Sequence, residues 1–357
     1  MSTQVQTAIE NNFRTQVKND DKVKNAYLLV HSDKLRIHLN IAEGDTGGAT
    51  AHPQQPNYLA SVGKLFTATI IAILHEQKLL SFDDPISKYL DNKLMSGLHV
   101  FNGKEYSNEI KISHLLNQSS GLDDFFYHLL KKVMEESEHF TPREAVIWGK
   151  ENLTPKFKPG EKHHYTDTNY HLLGLIIESI TGKPFFEALH KYIFNPLKMK
   201  NAYMLGYSQP AEKSRYPLAK FYLNDVDGST IDGLAQIDFA GGGVVATLEE
   251  YLIFMRSLVN QEIIKKESLE RMMSDNYPMS FPSIGVRYGY SIWQFVTIPL
   301  IMPEKFNCWG CVGVTGAFMF YHPQTEAYII GSFNDVSYQS KALRFMISKI
   351  IRELLKS

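Results

Sequence analysis

The sequence predicts an α/β protein in which two strand-bearing ends of the chain close around a mainly helical insertion. Three observations lead there. From Asn25 to Glu43 the apolar positions partly alternate about a polar Ser32-Asp33-Lys34 centre, the pattern of a hairpin at a sheet edge. Between Ser81 and Ala211 the pattern is mostly helical, punctuated by Ser119-Ser120-Gly121, Lys158-Pro159-Gly160 and Thr181-Gly182-Lys183-Pro184. Strand patterns return at Tyr288 to Val296, Thr315 to Tyr321 and Ala327 to Phe333, before a closing helix from Ser340 to Leu355. Residues 1–80 and 212–357 are therefore expected to form one α/β domain and 81–211 an inserted helical domain, with a site in the cleft between them.

The 357 residues suggest two or three units of about 150 residues, or one large core with an insertion. Apolar residues at 44% and charged residues at 21% exclude a disordered, collagenous or coiled-coil chain. A formal net charge of −1 gives no global attraction to nucleic acid or to an acidic membrane surface, so any partner must be read from a site. Two cysteines cannot form a disulfide framework. The opening MSTQVQTAIENNFRTQ lacks the basic and apolar regions of a secretory leader, so a cytoplasmic protein is expected, although a mature secreted form would read the same way.

From Ser61 to Gln77 the spacing is helical. Val62, Phe66, Ile70, Ile73 and Leu74 form one face, and Leu65, Ala68 and Ala72 a second. A helix apolar on two faces is buried, and its Leu65 to Leu74 stretch is too short for a membrane span of roughly 20 residues. On its first turn stands Ser61-Val62-Gly63-Lys64, the one Ser-x-x-Lys in the chain, with hydroxyl and amine on one face. Desolvation predicts a lowered pKa for such a lysine, which could then accept the serine proton. The bland alternative is a capping serine and a snorkelling lysine. Farther on, Tyr165 precedes a helix start, where it could act as a phenolate base or proton relay; alternatively it is an ordinary turn residue, with Asp167 or Thr168 capping the helix.

Taken together, YLASVGKLFTATIIAIL, ISHLLNQSSGL, KPGEKHHYTDTNYHLLGLIIESITGKPF, AGGGVVATLEEYLIFMRSLV and VGVTGAFMFYHPQTEAYIIGSFND resemble, in order, the motifs of the class C β-lactamases, penicillin-binding carboxypeptidases and related serine esterases. The resemblance implies a β-lactamase/transpeptidase-like fold, with an antiparallel sheet flanked by helices and a helical domain beside it. It implies Ser61 as nucleophile, Lys64 as its base partner and Tyr165 as the proton shuttle. Asp167 stands where the family has asparagine, and Cys311-Val312-Gly313 stands where a Lys-Thr-Gly or His-x-Gly triplet holds a substrate carboxylate. A thiol and a valine supply neither cation nor hydroxyl. The backbone N–H groups of Ser61 and Val314 are implied as the oxyanion hole, beside a retained Gly313. Cys311, Gly313, Val314 and Asp167 are thus the expected substrate-contacting residues.

Cys308-Trp309-Gly310-Cys311 has the spacing of a redox or metal motif, yet residues three apart on a strand face opposite sides. No metal or cofactor is expected. The implied function is acyl-enzyme hydrolysis of a small ester, amide or peptide, with esters favoured over β-lactams. Asp167 could instead attract a substrate amine, as in a D-amino-acid peptidase. The alternative from another class is a catalytically weak binding or sensor protein. Pocket shape is expected to depend on the loops Phe125 to His139 and Asn276 to Val286.

Overall fold

The computed structural model describes residues 2–223, 225–279, 285–298 and 303–356. The chain opens with helix α1 (Ser2–Lys18) and a hairpin, β1 (Asn25–Ser32) and β2 (Ile37–Gly44). A short strand β3 (Asn57–Tyr58) leads into helix α2 (Gly63–Glu76). The middle region carries α3 (Phe126–Glu136), α4 (Pro142–Asn152) and α5 (Asp167–Thr181). Strands β4 (Tyr203–Met204) and β5 (Val244–Ala246) pair with each other, β5 also pairs with β3, and α6 (Leu248–Val259) follows. Six strands then complete the main sheet: β6 (Tyr277–Pro278), β7 (Val286–Tyr288), β8 (Trp293–Phe295), β9 (Cys308–Gly313), β10 (Ala317–His322) and β11 (Ala327–Ser332). A closing helix begins as α7 (Gln339–Phe345) and runs on to Leu354.

The sheet order is β6-β7-β8-β9-β10-β11-β1-β2, every neighbour antiparallel. The N-terminal hairpin thus closes one edge of a sheet built by the C-terminal quarter, with Tyr27 opposite Ser332 and Cys311 opposite Met319. This is the antiparallel α/β fold that the sequence motifs imply. Strand β1 is buried along its whole length because both faces are covered. Tyr27 and Leu29 join the core shared with α2, α5 and α6, whereas Ala26, Leu28 and Val30 join the core under α1 and α7.

Three local expectations change. Helix α1 is not foreseen from its polar composition, yet Val5, Ile9, Phe13 and Val17 recur every fourth residue and are buried against the back of the sheet. The single strand expected from Tyr288 to Val296 is two strands, because Ser291 adopts φ of 60° in a tight turn and its hydroxyl donates to the Lys64 carbonyl at 2.9 Å. The cap of α5 is neither Asp167 nor Thr168 but Thr166, whose hydroxyl accepts from the Thr168 N–H at 3.1 Å. Of the loop from Asn276 to Val286, residues 280–284 lie outside those described.

Phe13 anchors α1, its ring centroid 6.1 Å from Phe333 and 6.3 Å from Phe345. Phe13→Ala is expected to cost about 3–4 kcal/mol of stability, read from the denaturant midpoint, because the cavity it leaves is closed by rigid aromatic neighbours.

Candidate active site

Ser61 lies one step before the expected helical turn. It sits in a single 3₁₀ turn, Ala60–Val62, and α2 begins at Gly63. Ala60 holds a left-handed φ of 49°, a strained conformation for a residue with a Cβ, and this bend turns Ser61 toward the cleft. Two glycines let other segments grip the turn. A Cβ on Gly313, at the end of β9, would stand 2.2 Å from the Leu59 carbonyl oxygen. A Cβ on Gly63 would stand 2.6 Å from the Gly242 oxygen.

Lys64 is 1% exposed and its ammonium donates to three acceptors: Ser61 Oγ at 3.0 Å, the Gly241 carbonyl at 2.7 Å and the Asp167 carboxylate. Its Nζ lies 5.2 Å from the Tyr165 ring centroid and 5.3 Å from that of Tyr170. The lowered pKa expected for this lysine is not found. Burial pulls it down, but the Asp167 charge, aided by Tyr165 and Asp238, more than offsets that and holds it above the ordinary lysine value. Lys64 is therefore a charged donor to Ser61, not a free amine. Tyr165 is pushed up to about 12 by burial, against the opposing effects of the Lys64 charge and of hydrogen bonds with Ser61 and Lys64. Its phenol is neutral at pH 7.

A cleft of about 300 Å³ opens over Ser61, walled by Tyr58, Phe126, Tyr127, Tyr165, Trp293, Val312 and Val314. Asp167 lines it as well. Cys311 does not: its side chain points into the core on the far side from Val312, where its thiol donates to the Ser291 carbonyl at 2.8 Å and burial pushes its pKa up. The strand alternation that turns Cys311 into one core turns Val312 to the opposite face, where it is buried with the core under α1 and α7 and edges the cleft, and it separates Cys308 from Cys311, both free thiols. Among the described residues no group of three or more His, Cys, Asp or Glu side chains is arranged to hold a metal. A larger cavity of about 530 Å³, beside Tyr89, Glu178 and Tyr207, is not lined by Ser61, Lys64 or Tyr165.

Two carboxylates escaped the sequence reading. Asp124 Oδ1 accepts the Asp167 N–H at 2.9 Å, and Asp238 Oδ2 accepts the Tyr58 hydroxyl at 2.6 Å. Both line the cleft, and burial raises each to about 7, with the Asp167 charge adding to the effect. Their neighbours carried the only signal: Asp124 follows Ser119-Ser120-Gly121, and Asp238 precedes the glycine turn. Asp238 also has a consequence for stability. Its folded pKa lies above the ordinary value of 3.8, so its contribution is complete at low pH and is lost as pH rises toward 7. Asp238→Asn is expected to raise the melting temperature at pH 8 by a few degrees, on the order of 2 kcal/mol, with no gain at pH 4.

Comparison with known proteins identifies the family and the fold. The family model described as Beta-lactamase matches residues 10–346. A penicillin-binding protein of Bacillus subtilis (strain 168) is 25% identical over 305 residues, 80% of this chain and 63% of that protein. The chain spans about two thirds or less of the length of the first curated relatives it matches. In fold it is similar to the D-amino acid amidase from Ochrobactrum anthropi SV3, with TM-score 0.78 and 22% identity, covering 98% of this chain and 100% of that one. It is similar also to EstCE1, described as a hydrolase with promiscuous acyltransferase activity, with TM-score 0.79 and 18% identity, covering 100% and 99% of the two chains. With a family model matched along nearly its whole length, the chain belongs to the beta-lactamase family.

Proposed function

We propose that this protein is a serine hydrolase working through an acyl-enzyme on a small ester or amide. The observation that carries the reading is the hydrogen bond between Ser61 and Lys64 at the floor of the cleft. Ser61 Oγ attacks the substrate carbonyl carbon, and the resulting oxyanion is received by the backbone N–H groups of Ser61 and Val314. The serine proton passes to Lys64 Nζ. Because that nitrogen is already fully protonated, it must hand one of its own protons to Asp167 in the same step. Tyr165 then gives its proton to the departing oxygen or nitrogen and recovers one from Lys64, which takes back the proton held by Asp167. Water repeats the attack on the acyl-enzyme and frees the acid.

Esters and uncharged amides suit this cleft better than β-lactams. Its charged lining residues are Asp124, Asp167 and Asp238, and Val312 replaces a hydroxyl, so a substrate carboxylate meets repulsion and no cation among the described lining residues. The names of the fold neighbours, an amidase and a hydrolase with promiscuous acyltransferase activity, are in keeping with acyl transfer. A catalytically weak binding protein is the second reading, favoured by the charged state of Lys64.

Intact-protein mass spectrometry after a fluorophosphonate, a penicillin and a panel of activated esters separates the two readings. An adduct on the native chain that is absent from Ser61→Ala is expected; no adduct from any reagent favours the binding protein. Faster turnover of a cephalosporin than of short p-nitrophenyl esters would contradict the ester preference. Asp167→Asn is expected to lower kcat/KM about 100-fold, since it removes the acceptor of the Lys64 proton. An unchanged or higher rate would mean that Lys64 works alone.

A further inference from the structure

Ser291 belongs to none of the motifs around Ser61, Lys64 and Tyr165, yet four segments meet at it. It lies in the tight turn between β7 and β8, 1% exposed, with a left-handed φ of 60°. Its backbone is engaged on both sides: the N–H donates to the Leu116 carbonyl at 3.3 Å, and the carbonyl accepts the Cys311 thiol of β9 at 2.8 Å. Its hydroxyl donates to the Lys64 carbonyl on the first turn of α2 at 2.9 Å and hydrogen-bonds with the Tyr170 hydroxyl of α5.

Counting hydrogens fixes the direction of these bonds. A carbonyl can only accept, so the one Ser291 hydroxyl proton goes to Lys64. Tyr170 is therefore the donor between the two hydroxyls, sharing its proton with the Leu116 carbonyl at 3.1 Å. The Tyr170 ring in turn faces the Lys64 ammonium, its centroid 5.3 Å from Nζ. Lys64 is thus held at both ends, at its carbonyl by Ser291 and at its ammonium by Ser61, Asp167 and Gly241 with the Tyr170 ring alongside. The backbone contacts of the turn need no side chain, and glycine would adopt φ of 60° without strain. The strained serine instead carries a hydroxyl whose two bonds both leave its own turn, for Lys64 and for the tyrosine that faces Lys64.

We propose that Ser291 is a positioning residue for Lys64: its hydroxyl fixes the first turn of α2 against Tyr170, so that the ammonium keeps its contact with Ser61 during acylation. The kinetic consequence rests on the hydrolase reading; the position of the ammonium rests on geometry alone. A carbonyl pinned at the start of α2 resists rotation of that turn about the helix axis, and the Lys64 side chain would swing with such a rotation. A shift of about 1 Å at Nζ takes the 3.0 Å contact with Ser61 out of hydrogen-bonding range, a misplacement large enough to slow acylation.

Two substitutions separate the hydroxyl from the strain. Ser291→Gly removes the hydroxyl, relieves the φ and leaves the backbone contacts of the turn in place, whereas Ser291→Ala removes the hydroxyl and keeps the strain. Pre-steady-state acylation by a p-nitrophenyl ester is expected to slow about tenfold or more in both, with the ester concentration at half-maximal rate within about twofold of native. Melting temperatures are expected to diverge, Ser291→Gly lying above Ser291→Ala. Tyr170→Phe is expected to slow acylation as well, and to add little in the Ser291→Gly background. A native acylation rate in Ser291→Gly, or a loss in Ser291→Ala that Ser291→Gly restores, would overturn the proposal. Exchange of the Lys64 ammonium hydrogens with water, followed by nitrogen-15 NMR, asks the same question without catalysis: exchange about tenfold faster in Ser291→Gly than in the native chain is expected, and equal rates contradict the proposal. If the native chain acylates with no ester, the hydrolase reading fails on that ground, and the exchange comparison still decides whether Ser291 positions Lys64.

Discussion

A lysine ammonium buried to 1% exposure is the constraint on which the rest of the site depends. Removing such a charge from water costs several kcal/mol unless acceptors replace the solvent. Here the acceptors come from three separate places: Ser61 from the 3₁₀ turn before α2, Asp167 from the first turn of α5, and the Gly241 carbonyl from the glycine turn before β5. Satisfying one ammonium therefore docks three segments distant in the chain. The same ion pair sets the chemistry, since it leaves Lys64 charged and places Asp167 in direct contact with it.

The surrounding fold acts as a rigid mount for that contact. The sheet carries a core on each face, and β9 sits in its interior, so the end of β9 at Gly313 has little freedom to move. Gly313 and Gly63 bring it and the glycine turn to within van der Waals reach of the backbone around Ser61, and side chains at either position would force them apart. Ala60 keeps its strained φ because both neighbours hold it there. The core beneath α2 extends without a break into α5 and α6, which ties the helices that supply Lys64 and Asp167 to the sheet that supplies the cleft wall.

Features written in local periodicity were legible from sequence. Helix α2 shows its two apolar faces, strands β10 and β11 their short β-rich runs between turns, and the hairpin its polar centre. Ser61, Lys64 and Tyr165 were legible because their residue types and spacing belong to a known set of motifs. What stayed hidden depends on distance in space. The charge on Lys64 follows from Asp167, which lies 103 residues away in sequence, and desolvation alone gives the wrong sign. Asp124 and Asp238 look like ordinary polar loop residues until the fold turns them into one cleft. Motif position alone makes Cys311 a substrate contact, and only the alternation of β9 shows that Cys311 enters the core on one face while Val312, buried on the other, edges the cleft. Helix α1 was masked by its polar composition, although its apolar stripe repeats every fourth residue.

The state of Lys64 is the claim on which the account turns, and direct titration tests it. Nitrogen-15 NMR of the side-chain ammonium, assigned by comparison with Lys64→Arg, follows the group without relying on catalysis. The account predicts a charged Lys64 whose resonance does not move up to pH 10, and whose titration shifts downward in Asp167→Asn. A Lys64 that titrates at or below pH 8 in the native chain would contradict it.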